Sequence, residues 1–148
     1  MQIIGFNFTK ISAERKPDFK NTGVNTQIDF LDINKEKINF LKDAESLKVS
    51  FKFSVIYANQ DKDNKIDEKE IQGQTIFEGS LILSVSKEEN KLIQKSWKKK
   101  QMPPSLQIPL YNFILKKCTI KAVFLQDEVG LPNPLLKIPQ LKAQPKQE

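Results

Sequence analysis

The chain has 148 residues, 39% of them hydrophobic and ten of them Phe, which is enough for one cored domain and argues against wholesale disorder. It contains no histidine and a single cysteine, Cys118, so Ser–His–Asp and Cys–His catalysis, imidazole-ligated zinc sites and an intramolecular disulfide are excluded. The formal charge is +6, and it is unevenly placed: residues 1–86 carry 12 basic and 13 acidic side chains, residues 87–148 carry 12 and five.

The opening segment alternates, with Ile4, Phe6 and Phe8 on one face and Gly5, Asn7 and Thr9 between them. It continues through Ile11 toward Arg15, where Lys16-Pro17 ends it. A second strand runs from Val24 to Phe40. Its apolar positions are even up to Phe30, odd at Leu31 and Ile33, and even again at Ile38 and Phe40, which predicts a bulge, because a one-residue slip exchanges the two faces. The third strand has the clearest pattern: Leu47, Val49, Phe51, Phe53, Val55 and Tyr57 against Lys48, Ser50, Lys52 and Ser54. A fourth spans about Glu70 to Ser86, with Phe77, Leu81, Leu83 and Val85 on one face and weak points at Gly73 and Gly79.

After Ser86 the period changes. Ser86 and Glu89 fit a capping box that opens a lysine-rich helix over Lys87 to Gln101, which Met102-Pro103-Pro104 interrupts. A second helix is predicted from about Leu106 to Glu128, with Tyr111, Ile114, Leu115, Cys118, Ala122 and Leu125 at helical spacing and Phe113, Ile120 and Phe124 widening that face. Pro109 would break a helix interior, so the regular part is expected to start there. Gly130 and Pro132 end it, and prolines at 132, 134, 139 and 145 exclude a long helix in the tail. Four antiparallel strands followed by helices read as an α+β layer in which the long helix covers one face of the sheet. The expected division is a single domain over residues 1–140 and a flexible polar tail over 141–148.

Three features carry candidate chemistry. From Asn59, the run NQDKDNKIDEKE sets Asn59, Asp61, Asp63, Lys65, Asp67 and Glu70 at the ligand positions of a twelve-residue calcium loop, with Ile66 at its apolar position and Asn64 at its glycine position. The flanks are strands where such a loop requires helices, so the other reading is a polar hairpin loop. Trp97-Lys98-Lys99-Lys100 joins an aromatic to positive charge, as single-strand nucleic-acid binders do, but only Arg15 among the 24 basic residues is arginine, and base readout favours arginine. The same cluster also suits acidic clients or another anionic partner. Cys118, mid-helix on the apolar face, reads as a buried structural cysteine. Asp29, Asp32 and Glu36 are close in sequence with nothing to make them converge. A calcium- or ligand-binding β-rich domain and a basic nucleic-acid binder are therefore the alternative functions. A carboxylate-based enzyme has no feature to recommend it.

From the fourth strand onward the order of features resembles the SecB family of chaperones. The matching pieces are Ile76-Phe77-Glu78-Gly79, Pro104-Ser105-Leu106-Gln107-Ile108-Pro109-Leu110-Tyr111, the helix through Phe124, Gly130-Leu131-Pro132-Asn133-Pro134, and Leu135-Leu136-Lys137-Ile138-Pro139. The resemblance implies a four-stranded antiparallel sheet packed by helices, assembly as a dimer of dimers through the long helix, and an ATP-independent, non-enzymatic holdase that needs no cofactor. Unfolded polypeptide clients would occupy apolar grooves, for which the candidates are Ile28, Phe30, Leu31, Ile33, Phe40, Tyr111, Leu115, Leu131, Leu135, Leu136 and Ile138. SecB proteins of the general export pathway are acidic, whereas this chain is basic, and only nine residues follow Pro139 where the family has a final helix. Both departures point away from an export ATPase as partner and toward a SecB-like chaperone outside general export, guarding an aggregation-prone antitoxin or serving an archaeal-type cytosol. No apolar run approaches the roughly 20 residues that span a bilayer. MQIIGFNF has no signal-peptide features, so the expected compartment is the cytoplasm.

Overall fold

The computed structural model describes residues 1–37 and 44–134. Strands β1 (Gln2–Arg15), β2 (Val24–Glu36), β3 (Glu45–Tyr57) and β4 (Gly73–Val85) precede helices α1 (Lys87–Trp97) and α2 (Pro104–Glu128). The four strands form one antiparallel sheet in the order β1-β4-β3-β2, and α2 packs along one face, giving an α+β fold.

The two central strands are those with the cleanest apolar alternation. Leu47, Val49, Phe51, Phe53, Val55 and Tyr57 of β3 are fully buried, as are Phe77, Leu81 and Leu83 of β4 beside them. Fully burying a side chain of this size contributes about 1.5–3 kcal/mol, so this double row anchors the domain. On the other face, Lys52 lies in register between Asp29 of β2 and Glu78 of β4, and Glu78 also faces Lys10 of β1. Charge thus alternates across all four strands, the arrangement that favours cross-strand pairing on a solvated face.

The bulge expected in β2 is present: the register shifts between Phe30 and Asp32, which turns Leu31 outward and returns Ile33 to the core. β1 departs from its simple alternation. Its register shifts between Ile3 and Gly5 and again between Phe8 and Lys10. Ile3 therefore takes the place opposite Leu83, while Ile4 points out and is exposed. Gly79 is a site of close approach, not a weak point: a Cβ there would lie 2.3 Å from the Asn7 carbonyl oxygen and 3.0 Å from the Phe51 ring. Gly73 likewise lies against Leu131, whose Cδ2 would be 2.6 Å from an added Cβ.

Ser86 caps α1 in a full capping box with Glu89, as the sequence predicts. The helix stops at Trp97 and does not reach Gln101. Lys100 adopts φ 56°, and the N–H groups of Lys100 and Gln101 donate to the carbonyls of Trp97 and Ser96, a Schellman closure built on lysine where glycine is usual. Helix α2 begins at Pro104, earlier than expected, and continues through Pro109. Its buried side chains recur every four residues: Leu106, Leu110, Ile114, Cys118, Ala122 and Gln126. Burial of Leu106 and Leu110 on either side of Pro109 opposes the loss of one backbone hydrogen bond at that proline.

Candidate functional site

The two flanks of α2 meet the sheet differently. Toward β1, Phe6 stacks on Phe51 (ring centroids 5.7 Å apart) and meets Phe8 and Phe113 edge-on at 4.9 and 5.6 Å. Lys117 Nζ lies 5.7 Å from the Phe113 ring centroid and 5.9 Å from that of Phe6, and Lys121 Nζ lies 5.5 Å from that of Phe8. These distances suit cation–π contact, and the lysines close the flank. Toward β2, one aromatic pair among the described residues does the bridging: Phe30 stacks on Tyr111 at 5.2 Å and 16°. Beside that pair lies an open cleft of about 610 Å³.

The cleft has walls from three places. Ile28, Asp29 and Phe30 come from β2, Leu92, Lys95 and Trp97 from α1, and Lys99, Lys100, Met102, Gln107 and Tyr111 from the α1–α2 turn and the start of α2. The Schellman turn at Lys100 and the following Pro103-Pro104 reverse the chain and bury Met102. Lys100 Nζ sits 5.0 Å from the Trp97 ring centroid. Gln107 Nε2 donates to the Tyr111 hydroxyl at 2.9 Å and fixes its tip. The result is a floor of aliphatic and aromatic carbon with ammonium groups along one rim, an arrangement with room for apolar side chains.

Of the groove candidates, the structure brings Ile28, Phe30 and Tyr111 together in this cleft. Leu31 sits on the bulge and is 47% exposed, away from the lining. Leu115 lies one turn beyond Tyr111, partly exposed on α2, also outside the lining. Ile33 and Leu131 are core residues at 6% and 5% exposure, because the bulge turns Ile33 inward and Leu131 seals the end of the sheet against Gly73. The Tyr57 hydroxyl, which burial pushes up to about 12, donates to the Pro132 carbonyl and holds that segment in place. Phe40, Leu135, Leu136, Ile138 and the 141–148 tail lie outside the described residues. Trp97, Met102 and the lysine rim were not assigned to a groove by the sequence. Their signal was the Trp97–Lys100 run beside a double proline, which marks an aromatic and three charges at a chain reversal.

The Asn59–Glu70 segment is a hairpin loop between β3 and a short 3-10 turn, Glu68–Glu70, that precedes β4. Asp61 Oδ1 accepts from the backbone N–H groups of Asp63 and Lys65 at 2.9 and 2.8 Å, and Asp67 Oδ1 accepts from that of Lys69 at 3.0 Å. Asn59 Oδ1 accepts from the Gly23 N–H at 2.8 Å, tying the loop to the β1–β2 connection. Asn64 does occupy the left-handed conformation, at φ 58°. Asp63 and Glu70 are exposed, and among the described residues no three of Asp, Glu and Cys gather as a metal would require. Cys118 is fully buried, and burial pushes its thiol up to about 12, so it is protonated at neutral pH. Among the described residues no helix is long and apolar enough to cross a membrane.

No family model and no curated protein matches the chain. Among solved structures, a SecB-like chaperone of Mycobacterium tuberculosis, in complex with a ChAD peptide from an antitoxin, is similar at a TM-score of 0.45 and 15% identity. The match covers 96% of this chain and 92% of that one.

Proposed function

We propose that the protein is an ATP-independent, non-enzymatic holdase that binds unfolded or non-native polypeptides in the cleft beside β2. The observation that carries this reading is the asymmetry at α2: a fully formed apolar floor of Ile28, Phe30, Tyr111 and Met102 is left open where the other flank is closed. An open apolar site suits a partner that supplies its own side chains. Ile108, Ile120 and Phe124 add to it: they lie on the outer line of α2 at 65%, 73% and 65% exposure. In a single copy these three side chains face water, Ile120 and Phe124 one turn apart and Ile108 separated from them by Asn112 and Lys116. We assign that line to a contact between copies, consistent with a dimer of dimers and with the SecB-like order of elements. Phe40, Leu135, Leu136 and Ile138 are proposed to extend the client surface.

The test is suppression of aggregation. A chemically unfolded client diluted into buffer without ATP should stay in solution at stoichiometric amounts of the protein. Aggregation at the rate seen without it would remove the reading. Light-scattering mass near four times 17.1 kDa is the expected assembly; a monomeric mass would contradict it.

A further inference from the structure

Resting on the reading of the cleft as a client site, we infer that its preferred occupant is a polypeptide segment with a bulky apolar side chain and carboxylates following to one side of it. The charge at the cleft is one-sided. Lys95, Lys99 and Lys100 line it, and the one acidic residue among its lining, Asp29, is paired in register with Lys52 on the other face of the sheet, where its two carboxylate oxygens accept from Gln27 Nε2 at 2.8 and 2.9 Å. A second depression of about 380 Å³ shares Lys95 and continues along α1 between Lys87, Lys91 and Lys98, with Lys35 of β2 opposite. Its one carboxylate, Glu45, receives the side-chain amide of Asn90. Between Lys87 and Lys100 there are six lysines and two glutamates, both glutamates lying in the first turn of α1, where Glu89 is held in the capping box.

The positive strip thus starts at the apolar cleft and runs the length of α1. That helix has 11 residues, about 16 Å at its rise per residue, and about five residues of extended chain cover the same distance. A segment anchored by an aromatic or large aliphatic side chain in the cleft would lay its next few residues over the lysines. Acidic side chains there gain attraction, and basic ones meet like charge. Nucleic acid fits less well. Lys100 covers the Trp97 ring, Phe30 and Tyr111 occupy one face of each other, and the rim offers lysine without arginine.

The experiment is fluorescence anisotropy on the full chain with three peptides of equal length and equal apolar content, flanked by Asp and Glu, by Ser and Asn, or by Lys, with single-stranded oligothymidine as a fourth probe. The acidic peptide should bind tightest and the basic one weakest, with about a tenfold gap at low ionic strength that shrinks as salt is added. Charge reversal at exposed positions, Lys95→Glu with Lys99→Glu, should narrow the gap severalfold, and an unchanged gap would overturn the inference. If that variant melts early, Lys95→Gln with Lys99→Gln should narrow it by a smaller factor. Equal affinity for all three peptides, or preference for the basic one, would overturn this inference and leave the client-site reading standing. No binding of any apolar peptide would remove the client-site reading, and this inference with it. Oligothymidine binding more tightly than the acidic peptide would also overturn it, in favour of a nucleic-acid surface.

Discussion

The two flanks of α2 use the same materials to opposite ends. On the β1 flank, three Phe rings and Phe51 interlock, and Lys117 and Lys121 lay their ammonium groups over the ring faces. On the β2 flank the stack of Phe30 on Tyr111 bridges sheet to helix, and the lysines stand at the rim of an open cleft. The difference lies in where the lysines start. Those of α2 spring from the covering helix and lie over its own Phe113 and over Phe6 and Phe8 of β1, whereas Lys95, Lys99 and Lys100 spring from α1 and the turn across the cleft from β2. A lysine beside an aromatic therefore says little until its element is placed: one flank is closed structure and the other is an available surface.

Removing an aromatic from each flank should separate the two roles. Phe6→Ala deletes a ring packed against three others and should cost about 2–4 kcal/mol of unfolding free energy, read from urea melts. Phe30→Ala, whose ring is stacked once and borders open space, should cost about 1 kcal/mol and should also weaken client binding. Equal stability losses would break the comparison.

Gly79→Ala probes the closed flank from beneath. A Cβ 2.3 Å from the Asn7 carbonyl must push β1 away from β4, at a cost of about 1–3 kcal/mol. Faster amide exchange in β1 than in β2 would localise the damage, and uniform exchange would speak against it.

The smallest expected effect sharpens the open flank. Lys100 holds φ 56° without glycine's freedom, so Lys100→Gly relieves backbone strain but loses the contact with Trp97. The net should be stabilisation of about 0.5 kcal/mol, with weaker affinity for acidic segments. A variant less stable than the parent would show that the ring contact outweighs the strain.

Much of this was legible in the sequence, and the failures have physical causes. Four strands, two helices, the capping box and the β2 bulge follow from periodicity, since the slip at Leu31 and Ile33 is written in the apolar pattern. The β1 bulges are not: Ile3 and Ile4 are both apolar, so nothing marks which one faces the core. The α1 closure was hidden because lysine stands where glycine would announce it. The proposed client surface was half legible. Ile28, Phe30 and Tyr111 come together, but Ile33 and Leu131 look the same in one dimension and are core, because periodicity names the apolar face and not where its cover ends. Trp97 and its lysines were conspicuous, yet only the chain reversal at Pro103-Pro104 sets them opposite β2. The calcium-like spacing of Asp61, Asp63 and Asp67 was real as spacing, but two of these carboxylates cap backbone N–H groups of their own loop.

The most direct test of the central claim is site-specific photocrosslinking to an unfolded client. A photoreactive phenylalanine analogue in place of Tyr111 should capture the client efficiently. The same analogue in place of Phe113, two residues along α2 on the closed flank, should capture little. Equal capture at both positions, or more at Phe113, would contradict the assignment of the β2 cleft as the binding surface.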